Sequence, residues 1–156
     1  MKLLNAPLVI SVAMFFTFLI VNSCTREDDY EAINDKSIQE YLEKKGLTAQ
    51  KTESGLYFLI TVPGNSQKPD LNSQVTVHYK GYLIDDSVFE SSYSGSAPTF
   101  PLSGVIAGWR EGLQLFGKGG KGTLFIPSKL AYGNTAMPGI PTNSVLIFDI
   151  HLINIE

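Results

Sequence analysis

Apolar side chains recur at every second position in two separate stretches of this chain. Val75, Val77 and Tyr79 alternate with Thr76, His78 and Lys80, and Phe148, Ile150 and Leu152 alternate with Asp149, His151 and Ile153. A period of two sends one set of side chains to one face, so each stretch is predicted to be a strand with a buried side. Lys121 to Ile126 has the same pattern, with Leu124 and Ile126 on one side, and Leu56 to Thr61 is a short apolar run closed by Pro63-Gly64. One segment between these strands has convincing helical spacing: Trp109, Gly112, Leu113 and Phe116 fall at i, i+3, i+4 and i+7, and Gly117 ends it. A half-buried sheet needs a cover, and this helix supplies one. The expected fold over residues 55–156 is therefore α+β: an antiparallel β-sheet of five to six strands wrapped around one short amphipathic α-helix.

The first 54 residues read differently. Lys2 is followed by no charge until Arg26, and Leu8 to Val21 is almost wholly apolar. That run of 14 residues is shorter than the roughly 20 needed to span a bilayer, and it fits the core of a secretory signal. Val21-Asn22-Ser23-Cys24 resembles a bacterial lipobox, which implies cleavage before Cys24 and attachment of a diacylglycerol to its thiol. The expectation is a lipoprotein signal peptide over 1–23, then a lipidated Cys24, an acidic tether over 25–36 and a short helix from Ile38 to Lys45 stopped by Gly46, within residues 24–54. The chain would then be exported and anchored to a bacterial membrane, the outer one, on its periplasmic or surface face. An uncleaved anchor and a plain signal with an incidental cysteine are the alternatives. With Cys24 the only cysteine, no intramolecular disulfide can form.

Composition narrows the function. A net charge of −3 with only two arginines, Arg26 and Arg110, gives no basic stripe for nucleic acid. Two histidines and one cysteine, widely spaced, give no metal pattern. Gly117-Lys118-Gly119-Gly120-Lys121-Gly122 copies a dinucleotide-binding glycine pattern but follows a helix and opens a strand, the reverse of what pyrophosphate binding needs. No cofactor and no metal are expected. His78 and His151 lie on the polar phase of their strands and are expected to be solvent-facing or hydrogen-bonded. What remains is apolar: Tyr132, Met137 and Ile140 lie on or beside a loop stiffened by Gly133, Pro138, Gly139 and Pro141, and Val105-Ile106-Ala107-Gly108-Trp109 precedes it. Bulky groups on constrained loops suggest a preformed hydrophobic pocket.

Taken together, Val77-His78-Tyr79-Lys80-Gly81, Val88-Phe89-Glu90-Ser91-Ser92, Val105-Ile106-Ala107-Gly108-Trp109, Ala131-Tyr132-Gly133, Pro138-Gly139-Ile140 and Leu146-Ile147-Phe148-Asp149 resemble the FK506-binding proteins, a family of peptidyl-prolyl cis-trans isomerases. The resemblance runs from about Leu56 to Glu156. It implies a pocket with Trp109 as floor, Tyr79, Phe89, Phe100 and Phe148 as aromatic sides, and Val105, Ile106 and Ile140 as aliphatic lining. It also implies that the Tyr132 hydroxyl and the Ile106 backbone N–H hold substrate carbonyls, and that Glu90 meets Tyr79. Glu90 replaces the family's usual aspartate, and no arginine follows Ser92 to complete that group. The implied activity is prolyl isomerisation assisting the folding of exported proteins. The implied partners are proline-containing polypeptide clients, FK506-like macrolides and a membrane reached through Cys24. A non-catalytic module that binds proline segments is the alternative.

Overall fold

The computed structural model describes residues 25–156; the expected signal peptide and Cys24 lie outside the described residues. Helix α1 (Thr25–Lys45) is followed by strands β1 (Gln50–Lys51), β2 (Tyr57–Val62), β3 (Gln74–Leu83), β4 (Val88–Ser91) and β5 (Thr99–Pro101). Helix α2 (Ala107–Gly112), β6 (Lys121–Ile126) and β7 (Leu146–Ile155) complete the order. All strand pairs are antiparallel, in the order β1-β2-β6-β7-β3-β4, and β5 pairs with the same edge of β3 that carries β4. The sheet has seven strands rather than five or six because β1 and β5, of two and three residues, are too short to show a period.

The alternation sorts the side chains as expected. Val75, Val77 and Tyr79 on β3, Leu124 and Ile126 on β6, and Phe148, Ile150 and Leu152 on β7 are buried on the inner face with α2. Helix α2 comes very close to β6. A Cβ at Gly108 would lie 2.4 Å from Ile126, and one at Gly112 would lie 2.5 Å from Leu124, so only glycine permits this contact. The α-helix is shorter than its spacing predicts. From Leu113 to Leu115 the last turn tightens to a 3-10 helix, and the Phe116 N–H donates to the Leu113 carbonyl at 3.2 Å. Tightening of this kind satisfies carbonyls left free at a helix end. The glycine-rich stretch then forms the turn into β6.

The outer face of the sheet is covered as well, by a helix longer than the one expected from Ile38 to Lys45. Residues 25–36, expected as a tether, are the first turns of α1. Its final Lys44 and Lys45 lie in the last turn, where cations suit the helix dipole. Ser37 lies inside this helix, where its hydroxyl donates to the Ile33 carbonyl one turn back, at 2.9 Å. Gly46, at φ 64°, ends the helix as expected, with the Leu47 N–H returning to the Leu42 carbonyl and the Gly46 N–H to that of Glu43. Ile38, Tyr41 and Leu42 pack on Tyr57, Phe125 and Ile147, the outward residues of β2, β6 and β7. At roughly 1.5–3 kcal/mol per fully buried large apolar side chain, this seam makes α1 an integral layer.

Candidate functional site

Five aromatic rings meet at the inner face, beside the amino end of α2. Tyr79 approaches Trp109 edge-on at 5.1 Å between centroids, and Phe148 and Phe100 approach the same indole at 5.2 and 5.9 Å, all near perpendicular. Phe89 stands edge-on to Phe148 at 5.6 Å. Edge-to-face contacts at these distances are the favoured aromatic geometry, so the rings hold one another in place. Tyr79, Trp109 and Phe148 are buried, whereas Phe89, Phe100, Val105 and Ile106 are only half-buried. The cluster therefore opens to solvent along that second group and is closed at the indole. The Trp109 Nε1 is buried with no hydrogen-bond partner among the described residues.

Each expected lining residue falls in or against this cluster. Ile140 is buried in the same core, and Val105 and Ile106 pack against it. Ile106 precedes α2 with extended-type torsions, and its carbonyl accepts the Trp109 and Arg110 N–H groups, both at 3.0 Å. Its own N–H lies ahead of the first turn, where backbone donors lack intrahelical partners. Tyr132 is 37% exposed, on the segment that follows β6. Glu90 is exposed on β4, opposite Gly81. Burial pushes the Tyr79 hydroxyl well above the ordinary tyrosine range, and the Glu90 carboxylate and then the Tyr132 hydroxyl add to this. Tyr79 thus stays protonated under any physiological condition and keeps an O–H to donate.

Two positioning residues escaped the sequence reading. Gly81 shares the inner face with Tyr79, and a Cβ there would lie 2.6 Å from Phe89 and 2.9 Å from Phe148. Ser92 holds the Tyr79 backbone from both sides. Its N–H donates to the Tyr79 carbonyl at 2.9 Å, and its hydroxyl oxygen accepts the Tyr79 N–H at 2.8 Å. Gly81 and Ser92 stand in the quoted motifs, but nothing in their spacing signals these roles.

The histidines lie away from the rings. His78 and His151 face each other across β3 and β7. The His78 Nδ1 is 3.0 Å from the Ser92 hydroxyl, and its ring stacks on Tyr93 at 4.9 Å. Burial, then Lys121 and His78, push the His151 imidazole below its ordinary value. Among the described residues no group of acidic, cysteine or histidine side chains could hold a metal. A cleft of about 760 Å³ lies between α1 and the segment after β6, but about half of its lining is polar and it includes none of the five rings. The rings make the better site for an apolar ligand; the cleft does not.

Comparison with known proteins agrees with this geometry. The chain is 48% identical over 123 residues to the FKBP-type peptidyl-prolyl cis-trans isomerase FkpA of Buchnera aphidicola subsp. Baizongia pistaciae, covering 78% of this chain and 48% of that protein. The crystal structure of FkpA from Escherichia coli superposes with a TM-score of 0.73 at 41% identity, over 83% of this chain and 62% of that one. That of a peptidyl-prolyl cis-trans isomerase from Pseudomonas syringae pv. tomato gives 0.71 at 32% identity, over 83% and 95%. The chain spans about half the length of the curated relatives it matches. Residues 65–153 match the family model described as FKBP-type peptidyl-prolyl cis-trans isomerase. With a ring-lined site on the expected sheet and a family match over more than half its length, the chain belongs to the FKBP-type peptidyl-prolyl cis-trans isomerases.

Proposed function

We propose that the chain catalyses cis-trans isomerisation of X–Pro bonds in polypeptides, assisting the folding of exported proteins. The observation that carries this reading is the convergence of Tyr79, Phe100 and Phe148 on Trp109, with Phe89 set against Phe148, open on one side. Isomerisation needs no nucleophile, because the barrier of about 18–20 kcal/mol is the amide resonance lost as the C–N bond twists. The twisted amide is less polar than the planar one, so a water-poor aromatic site favours it relative to the bound ground state. The rings would grip the prolyl ring, with Val105 and Ile140 completing the apolar lining. The Ile106 N–H and the Tyr132 hydroxyl would hold the flanking carbonyls. Spontaneous exchange takes roughly 10–100 s. Reaching about 10–10³ per second requires on the order of 4–7 kcal/mol of transition-state stabilisation. Differential solvation with two or three hydrogen bonds is of that size.

The test is a proline-peptide isomerisation assay on purified residues 25–156. Tyr132→Phe should lower kcat/KM by roughly 2- to 10-fold, the worth of one hydrogen bond. Trp109→Leu should cost more, since it removes the floor. A wild-type rate equal to the spontaneous one would sink the enzyme reading. One observation favours a second reading, a module that binds proline segments without useful turnover: Glu90 is exposed and one methylene longer than the family's aspartate. Binding of an FK506-like macrolide without turnover would support it.

For cellular placement we propose export and a lipid anchor at Cys24, on the outer membrane. The support is the apolar run from Leu8 to Val21 and the Val21-Asn22-Ser23-Cys24 motif. Among the described residues no helix is long and apolar enough to cross a membrane. Acyl chains, at about 0.8 kcal/mol per buried methylene, would supply stable attachment. Cys24→Ala should release the protein from the membrane fraction, and its retention there would refute the anchor.

A further inference from the structure

Asn34, on α1, is a buried polar side chain at 3% exposure. Its carboxamide joins two backbone groups that lie far from it in sequence. The Oδ1 accepts the Ser128 N–H at 2.6 Å, and the Nδ2 donates to the Asn143 carbonyl at 3.2 Å. These partners fix the orientation of the amide, because the reverse would set donor against donor and acceptor against acceptor. Ser128 and Asn143 are the two ends of the segment that carries Tyr132 and Ile140. Inside it, the Gly133 N–H returns to the Ser128 carbonyl at 2.8 Å and the Asn143 N–H to the Gly133 carbonyl at 2.7 Å. Asn143 is held at φ 57°, a left-handed conformation uncommon outside glycine.

We infer that Asn34 is a positioning residue of the site: by clamping Ser128 and Asn143 it fixes the segment that presents Tyr132 and Ile140 to the substrate. This rests on the isomerase reading. It makes α1, which lies before the family-matched residues 65–153, part of the working site. Packing alone does not hold the segment from the helix side, because the cleft of about 760 Å³ lies there, between Glu31 and Asn34 on α1 and Asn134 and Thr142 on the segment. The two amide hydrogen bonds, with the Lys129 ammonium on the Glu31 carboxylate at the rim, span that gap. No other neutral side chain of this size offers a donor and an acceptor on one rigid plane.

The test compares the full chain with Asn34→Ala, Asn34→Asp and Lys36→Ala, measuring kcat and KM on a proline peptide and amide hydrogen exchange by residue. Asn34→Ala should lower kcat/KM about 5- to 10-fold, because a misplaced Tyr132 hydroxyl holds the twisted amide less well. Amides of residues 132–143 should exchange at least about tenfold faster, while those of β3, β6 and β7 keep their protection. Wild-type kcat/KM and wild-type exchange would overturn the clamp. So would equal acceleration in the segment and the sheet, which would mark a general structural role. If Asn34→Ala does not fold, Asn34→Asp decides, since a carboxylate still accepts from Ser128 but cannot donate to Asn143. Faster exchange at the Asn143 end with Ser128 still protected supports the clamp, and no change at either end overturns it. Lys36, whose side chain is 78% exposed and pairs among the described residues with Glu40, should give wild-type values on substitution. If Lys36→Ala reproduces the Asn34→Ala effect, helix docking in general is responsible and the clamp is overturned. Absence of turnover in the wild type would defeat the isomerase reading alone, and the exchange data would still decide the clamp.

Discussion

Gly81 shows how much of the site depends on a side chain that is not there. The Phe89 and Phe148 rings close over its Cα, where a methyl group would lie 2.6 and 2.9 Å from them. Both distances are below van der Waals contact, so alanine must displace one ring or both. Phe148 rests on Trp109 and Tyr79, so a displacement is passed to the floor of the site. Gly81→Ala should therefore cost about 1–3 kcal/mol of stability, the usual range for overpacking. It should also lower isomerase activity more than that loss of folded population explains. Denaturant titration followed by the emission of Trp109, the chain's single tryptophan, measures the first, and the peptide assay measures the second. Unchanged values in both would mean that the rings have slack the contacts do not show. Ser92 works on the same small scale, substituting a hydroxyl for a ladder partner at Tyr79.

Strands β3, β6 and β7 were legible because the face each turns towards α2 is the more consistently apolar one, and that contrast writes a period of two into the sequence. Helix α1 was half legible. Ile38, Tyr41 and Leu42 announce its docked turns, but its earlier turns touch the domain mainly through Glu31, Asn34 and Asp35, polar residues that read as solvated. Its hydrophobic signal is spent on the outer face of a sheet whose outward residues, Tyr57, Phe125 and Ile147, read as strand core without revealing which side they faced. Helix α2 ran shorter than its spacing because sequence periodicity barely separates the last α turn from a 3-10 turn. Trp109 was legible as part of an apolar pocket from its neighbours, whereas Tyr79, Phe89, Phe100 and Phe148 became legible together only through the family resemblance; singly, each would have passed for core. Asn34 left no trace, since its partners are backbone groups 109 and 94 residues away, and no side-chain pattern encodes those.

Taken as a whole, the molecule is two layers fastened to one sheet, and the outer fastening is sensitive to pH at both extremes. The Tyr41 hydroxyl donates to Asp86 at 2.7 Å, and Lys45 reaches the same carboxylate at 2.8 Å, tying the end of α1 to the turn between β3 and β4. Burial, then Asp86, push the Tyr41 hydroxyl from 10.0 up to about 12. A raised group contributes stability that is complete below its unfolded value and is lost as pH rises through the folded one. Tyr41 therefore weakens the molecule between pH 10.0 and about 12. Tyr82, raised by burial and then by Asp149, and Tyr79, raised by burial and then by Glu90, act in the same sense. On the acid side the sign reverses. Lys45 and then Tyr41 hold the Asp86 carboxyl below its ordinary 3.8, so its contribution is present above that value and lost as pH falls through the lower one. His151, lowered from 6.5 chiefly by burial, begins to lower stability earlier, as pH falls below 6.5. Stability should therefore be broadest between about pH 6.5 and 10, within the usual alkaline and acid limits of carboxylate- and tyrosine-stabilised domains. Tyr41→Phe keeps the ring contact with Phe125 and removes the ionisable group, so it should flatten part of the alkaline decline while lowering stability at neutral pH by roughly 0.5–1.5 kcal/mol, one hydrogen bond. Denaturant unfolding of both proteins from pH 4 to 12 checks this, and parallel alkaline limbs would show that Tyr41 ionises without straining the clasp.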